Sequence, residues 1–145
     1  MALVQISRGA EVKHTYVDGV SRVPILEGAY HDATVERISI QPGADLTPEI
    51  FSRQEHNQVF LITAGKGYIV TPRRVFNITE VSVFVPDFDK EQFTFHCAAD
   101  AKENMEIVHF VTELSDYDKT CLKESHLTLP RFRGVSQAWH YKEDF

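Results

Sequence analysis

Apolar and polar residues alternate along this chain in short runs that stop at Gly, Pro, Asp or Asn, and no long segment keeps the apolar period of a helix. Runs rich in Val, Ile, Phe and Thr predict strands at 33–40, 58–63, 67–71, 75–78, 81–85, 92–96 and 105–111. Pro42-Gly43, Gly65-Lys66-Gly67 and Pro72-Arg73-Arg74 supply turns between them. Many short strands at near-regular spacing predict an all-β sandwich or small barrel. Glycines at 65 and 67 relieve the steric limits of a tight hairpin.

The last third changes character. Ser115-Asp116-Tyr117-Asp118 reads as a helix start, with Ser115 as N-cap and Asp118 turned back toward it, predicting a short helix through about Lys123. Residues 127–132 read as extended, and Ala138-Trp139-His140-Tyr141 as an aromatic patch. The expected organisation is a single domain over 1–145, with a barrel core at about 33–111 and a helix and tail at 112–145. The tail fits a linker to a further domain as well as a terminus.

Composition narrows the class. A chain of 145 residues can bury a full core without metal or disulfide staples. Ten phenylalanines and five tyrosines suit a barrel filled by large rings. A formal net charge of −6 argues against a nucleic-acid partner, which calls for a basic face. Cys97 and Cys121 match no zinc or redox spacing and read as reduced thiols. No run approaches the roughly 20 apolar residues of a membrane span. Leu3-Val4-Gln5-Ile6 is too short for a signal-peptide core and is soon followed by Arg8, so a cytoplasmic protein without a membrane partner is expected.

The stretch Glu55-His56-Asn57-Gln58-Val59-Phe60-Leu61-Ile62-Thr63-Ala64-Gly65-Lys66-Gly67 runs from a polar cluster through an apolar strand into a glycine-paired turn. With Pro42-Gly43 upstream and Val83-Phe84-Val85-Pro86 downstream, it resembles the cupin family over residues 33–111. The resemblance implies an antiparallel jelly-roll β-barrel, commonly dimerised through edge strands, and hence a homodimer. Gly43 and Gly65 stand at the two glycines of the family's first motif, and Gln58 at its carboxylate-or-amide position. The His-x-His pair of that motif falls near Ser52 and Gln54. In the second motif Pro86 is followed by Phe88 at a glycine position and Glu91 at the histidine position, while Thr79-Glu80 replaces the preceding glycine.

The family's divalent metal sites rest on imidazole nitrogens plus one oxygen ligand. Ser52, Gln54, Gln58 and Glu91 offer one charged oxygen and three weak neutral donors, so no metal or other cofactor is expected. If Gln58, Phe60 and Ile62 point into the barrel, His56 shares their parity; if Glu91, Phe93 and Phe95 point in, His96 turns out. His56 is then the one histidine expected near the cavity, with His31, His96 and His109 read as surface or hydrogen-bonded residues.

The expected ligand-binding residues are Gln54, Gln58, Phe60, Tyr68 and Phe93, with Glu91 and His56 as candidate acid–base groups. Amides and a carboxylate among aromatic walls suit a small polar metabolite of sugar or carboxylic-acid type. Three functions compete: a cupin that binds such a molecule without metal, an isomerase or lyase of carbohydrate or small-acid metabolism using the same groups, and an oxygenase with a displaced metal site around His56.

Overall fold

The computed structural model describes residues 5–28, 31–52, 55–86, 91–117 and 119–120, and the backbone of Gln137–His140. Ten strands alternate with turns: β1 (Val20–Ile25), β2 (Ala33–Ile40), β3 (Asp45–Leu46), β4 (His56–Ala64), β5 (Gly67–Val70), β6 (Val75–Ile78), β7 (Ser82–Val85), β8 (Thr94–Cys97), β9 (Met105–Glu113) and β10 (Gln137–His140). One sheet has the order β1-β2-β9-β4-β7-β10 and the other β3-β8-β5-β6. Every strand pair is antiparallel. The two sheets enclose one core, as in a jelly roll.

Period-two alternation decides what fills that core. On β9, Met105, Ile107, His109 and Val111 are buried; on β4, Phe60 and Ile62; on β2, Ile38 and Ile40. The second sheet contributes Ile69, Phe76, Ile78, Phe95 and Cys97. The rings of Phe60, Phe84, Phe93 and Phe95 meet edge-on or tilted at centroid distances of 4.8–6.2 Å, the arrangement aromatic quadrupoles favour.

The β4–β5 hairpin carries the chain from one sheet to the other. Gly65 has φ +89, and a Cβ there would lie 2.6 Å from Met105 Cα, so a side chain is barred by both torsion and contact. A Cβ on Gly67 would collide with the His96 carbonyl.

Three strands, β1, β3 and β10, lie outside the sequence expectation, β1 and β10 for definite reasons. β1 contains Arg22 and Pro24, which interrupt an apolar reading; it pairs only with β2 among the described residues, and an edge strand tolerates Pro. The barrel therefore begins upstream of residue 33. Ala138-Trp139-His140, expected as part of an aromatic patch, forms β10 and adds to β7. Of the expected helix, the bond from the Lys119 N–H to the Ser115 carbonyl (3.0 Å) is described; Asp118 and residues 121–123, like Cys121, 127–132 and Tyr141, lie outside the described residues. No helix among the described residues is long and apolar enough to cross a membrane.

Candidate functional site

The interior of the six-stranded sheet carries a polar row where its strands bring inward positions level. Register aligns Glu36 on β2 with His109 on β9, and His109 with Phe60 on β4. Arg22 on β1 donates from Nε and Nη2 to the two oxygens of Glu36 (2.8 and 2.7 Å). The same guanidinium donates from Nη1 and Nη2 to Glu49 (2.8 and 2.9 Å), on the loop that leads toward β4. His109 Nδ1 lies 2.9 Å from Glu36 Oε2, and its Nε2 lies 3.0 Å from Gln58 Oε1. The imidazole is 1% exposed and stacks on Phe60 at 4.0 Å and 6°.

Charge in this row is held by its partners. Burial alone raises the Glu36 pKa, but hydrogen bonds from Arg22 and His109 and their charges outweigh it and hold the carboxyl at about 2. The bond to Glu36 raises the Arg22 pKa, and the bond from Arg22 lowers that of Glu49. Glu36 is thus a carboxylate that accepts, and the nitrogen of His109 facing it carries a proton.

Above this row, toward one mouth of the barrel, lies a cavity of about 290 Å³. The β4 residues His56, Asn57, Gln58 and Val59 form one side; Val85, Pro86, Glu91 and Phe93 form another, with Ile50 and Phe51 above. The turn before β4 closes through His56 N–H to Ser52 O (2.8 Å), and the Phe51 ring sits 4.9 Å from that of His56. Two buried polar atoms among the described residues have no hydrogen-bond partner, and both belong to this lining: His56 Nδ1 and Glu91 Oε2. The other oxygen of Glu91 lies 3.6 Å from the Arg73 guanidinium on the rim.

The structure thus brings His56, Gln58, Glu91 and Phe93 to one cavity. Phe60 is fully buried beneath it, packed between His109 and the phenylalanines, and is not part of the wall. Tyr68 corrects the expectation that it lines the interior. On β5 the inward residue is Ile69, so Tyr68 is on the outer face, stacked on His96 at 4.6 Å, and His96 in turn contacts Asp45. Gln54 lies outside the described residues.

His56 is the histidine in the cavity wall among the described residues, while His109, expected as a surface or hydrogen-bonded residue, is hydrogen-bonded to Glu36 and Gln58 inside the barrel. Its parity with Met105, Ile107 and Val111 is the sequence signal for that position. Glu36 shares parity with Ile38 and Ile40 in the same way.

The donor set among the described residues does not fit a divalent metal site built of imidazole nitrogens and one oxygen. Gln58 faces His109 with its oxygen, and among the described residues only His56 and Glu91 remain as strong donors in the wall. His96 is on the outer face and His31 is exposed. Among the described residues no group of three or more His, Cys, Asp or Glu is placed to hold a metal ion.

No protein-family model matches the chain, and no curated protein sequence matches it. Solved structures do. KdgF from Halomonas sp. superposes with a TM-score of 0.59 at 15% identity, covering 81% of this chain and 98% of that one. A protein described as a predicted oxalate decarboxylase from Thermotoga maritima gives 0.60 at 16%, covering 77% and 100%. A cupin-2 domain from Rhodospirillum rubrum gives 0.54 at 16%, covering 85% and 81%. The two-sheet antiparallel topology, the cavity at one mouth and these superpositions agree that the chain has the cupin fold.

Proposed function

We propose that this protein binds a small hydroxyl- or amine-bearing organic molecule, of about sugar size, in the barrel cavity without a metal ion. The observation that carries this reading is the pair of unpartnered atoms, His56 Nδ1 and Glu91 Oε2, among the lining residues of one cavity. A buried polar atom without a partner costs on the order of 1–3 kcal/mol, a cost that a rotation of the Glu91 carboxyl toward the cavity it lines offsets by letting a ligand hydroxyl or amine donate to it. Phe51, Phe93, Val59 and Val85 offer apolar contact for a carbon skeleton.

Charge separates the two ligand classes expected from the sequence. Among the described residues, Glu91 is the only formally charged lining side chain, and Arg73 on the rim already faces it. A carboxylic acid meets repulsion there, and a dianion such as oxalate more so, whereas a hydroxyl or ammonium group is complementary. Calorimetric titration with neutral hexoses, polyols and amino sugars beside the matching uronic acids tests this. Neutral or amino members are expected to bind the native protein and to lose at least about tenfold in affinity to Glu91→Gln, the worth of one hydrogen bond to a charged group. Preferential binding of the acids, or affinity untouched by Glu91→Gln, contradicts the reading.

A second reading uses the same pair for acid–base chemistry. A carboxylate and an imidazole in one cavity can take a proton from a substrate carbon or hydroxyl and return it elsewhere, as an isomerase or lyase requires. Turnover within the same panel that disappears in both Glu91→Gln and His56→Ala supports it. Binding without turnover returns the protein to the first reading.

A further inference from the structure

Among the described residues, Gln58 is the lining residue whose far end is held by the buried row beneath the cavity. A carboxamide has an accepting end and a donating end, and its two orientations fill the same space. Whichever end meets His109, the other is left for the cavity. The orientation therefore depends on what His109 Nε2 requires.

The ring's other nitrogen settles the first half of that requirement. Nδ1 faces the ionised Glu36 at 2.9 Å, where a bare lone pair would oppose a carboxylate, so Nδ1 carries a proton. With a second proton on the ring, Nε2 donates, Gln58 Oε1 accepts at 3.0 Å, and the amide nitrogen is left for the cavity. With one proton on the ring, Nε2 holds a lone pair. Then only the amide N–H satisfies it, and the carboxamide turns over to leave its oxygen for the cavity.

We propose that His109, which is not in the cavity wall, determines through its protonation which end of Gln58 a ligand meets and so sets the cavity's specificity. With the nitrogen inward, Gln58 donates near the accepting Glu91, which suits a hydroxyl or carbonyl-bearing molecule. With the oxygen inward, two acceptors face the cavity, which favours an amine. The groups that bear on the ring are Glu36 from β2, Arg22 from β1 behind it, and Glu49 beyond Arg22. β4 contributes the uncharged Gln58 and Phe60, with Phe93 and Phe95 packed on Phe60. His56 and Glu91 are the ionisable groups in the cavity wall.

The selector serves the ligand site proposed above, yet it is readable with no ligand present. On ¹⁵N-labelled protein, the His109 ring nitrogens and the Gln58 side-chain NH₂ are followed by NMR from about pH 5 to 9, the range in which an imidazole changes charge. The expected result is one shared midpoint for ring and carboxamide. In Glu36→Gln ring and carboxamide are expected to change together still, because Gln58 continues to follow the ring. A Gln58 resonance that stays fixed while the ring titrates overturns the proposal, as does a ring that keeps one proton state across the range. Separate midpoints in Glu36→Gln overturn it too. A coupled titration beside an empty calorimetric panel leaves the selector standing and rejects the ligand reading instead.

Discussion

Two polar clusters share this barrel and are built in opposite ways. In the row Glu49–Arg22–Glu36–His109–Gln58, each charged group meets an opposite charge or a hydrogen-bond partner at 2.7–3.0 Å. Just above it, His56 Nδ1 and Glu91 Oε2 are buried with none among the described residues. Saturated networks offset the cost of burying their polar groups internally, whereas unsatisfied buried groups carry a cost that a bound partner can offset. The first cluster is scaffold for the second, and Gln58 belongs to both.

The contrast makes opposite predictions for removing a carboxylate. Glu36→Ala leaves Arg22 and His109 without their shared anion, and urea unfolding should show a loss of about 2–3 kcal/mol, below the ~3–5 kcal/mol of a fully buried pair because Arg22 and Glu36 are partly exposed and Arg22 keeps Glu49. Phe60→Ala, which removes the ring under His109, should cost ~3–5 kcal/mol by cavity formation. Glu91→Gln should change stability by less than about 1 kcal/mol, since its ion pair among the described residues reaches an exposed arginine. It should nonetheless abolish most ligand binding. Equal destabilisation by Glu36→Ala and Glu91→Gln would erase the distinction between the clusters.

Acid titration sharpens the same comparison. Glu36 is held at about 2 against an ordinary 4.5. A carboxyl whose pKa is depressed on folding contributes stability that is fully present above the ordinary value and is lost as pH falls toward the folded one. Urea midpoints should therefore decline between about pH 4.5 and pH 2, and Glu36→Gln should flatten that part of the profile. The smallest effect is expected outside the barrel. Tyr68→Ala should leave cavity affinity within about twofold and cost about 0.5–1 kcal/mol from the lost stack on His96.

How much of this was legible in the sequence depended on which signal each residue carried. Strand alternation was enough to place Phe93 and Phe95 inward and His96 outward, and the glycines at 65 and 67 marked the hairpin that their contacts require. The same rule holds along β9 and β2, where His109 and Glu36 share parity with Ile107 and Ile38, but the sequence reading did not use it there, because a charged or polar residue in a strand is ordinarily read as solvated. Arg22 was harder, because Pro24 and the arginine itself disguise β1 as a loop. Tyr68 was misassigned because its ring suggested a cavity wall, while the neighbouring Ile69 takes the inward position. The pairing of Gln58 with His109 had no sequence signal. It joins residues 51 positions apart and depends on the β4–β9 register.

The central claim, that the cavity with Glu91 and His56 in its wall is the ligand site, is tested most directly by backbone amide chemical-shift mapping with the neutral and amino-sugar panel. The predicted result is a cluster of perturbed amides at residues 56–59, 85 and 91–93, weakened in Glu91→Gln. An absence of perturbation across the panel, or a cluster around Tyr68 and His96 on the outer face, would contradict it.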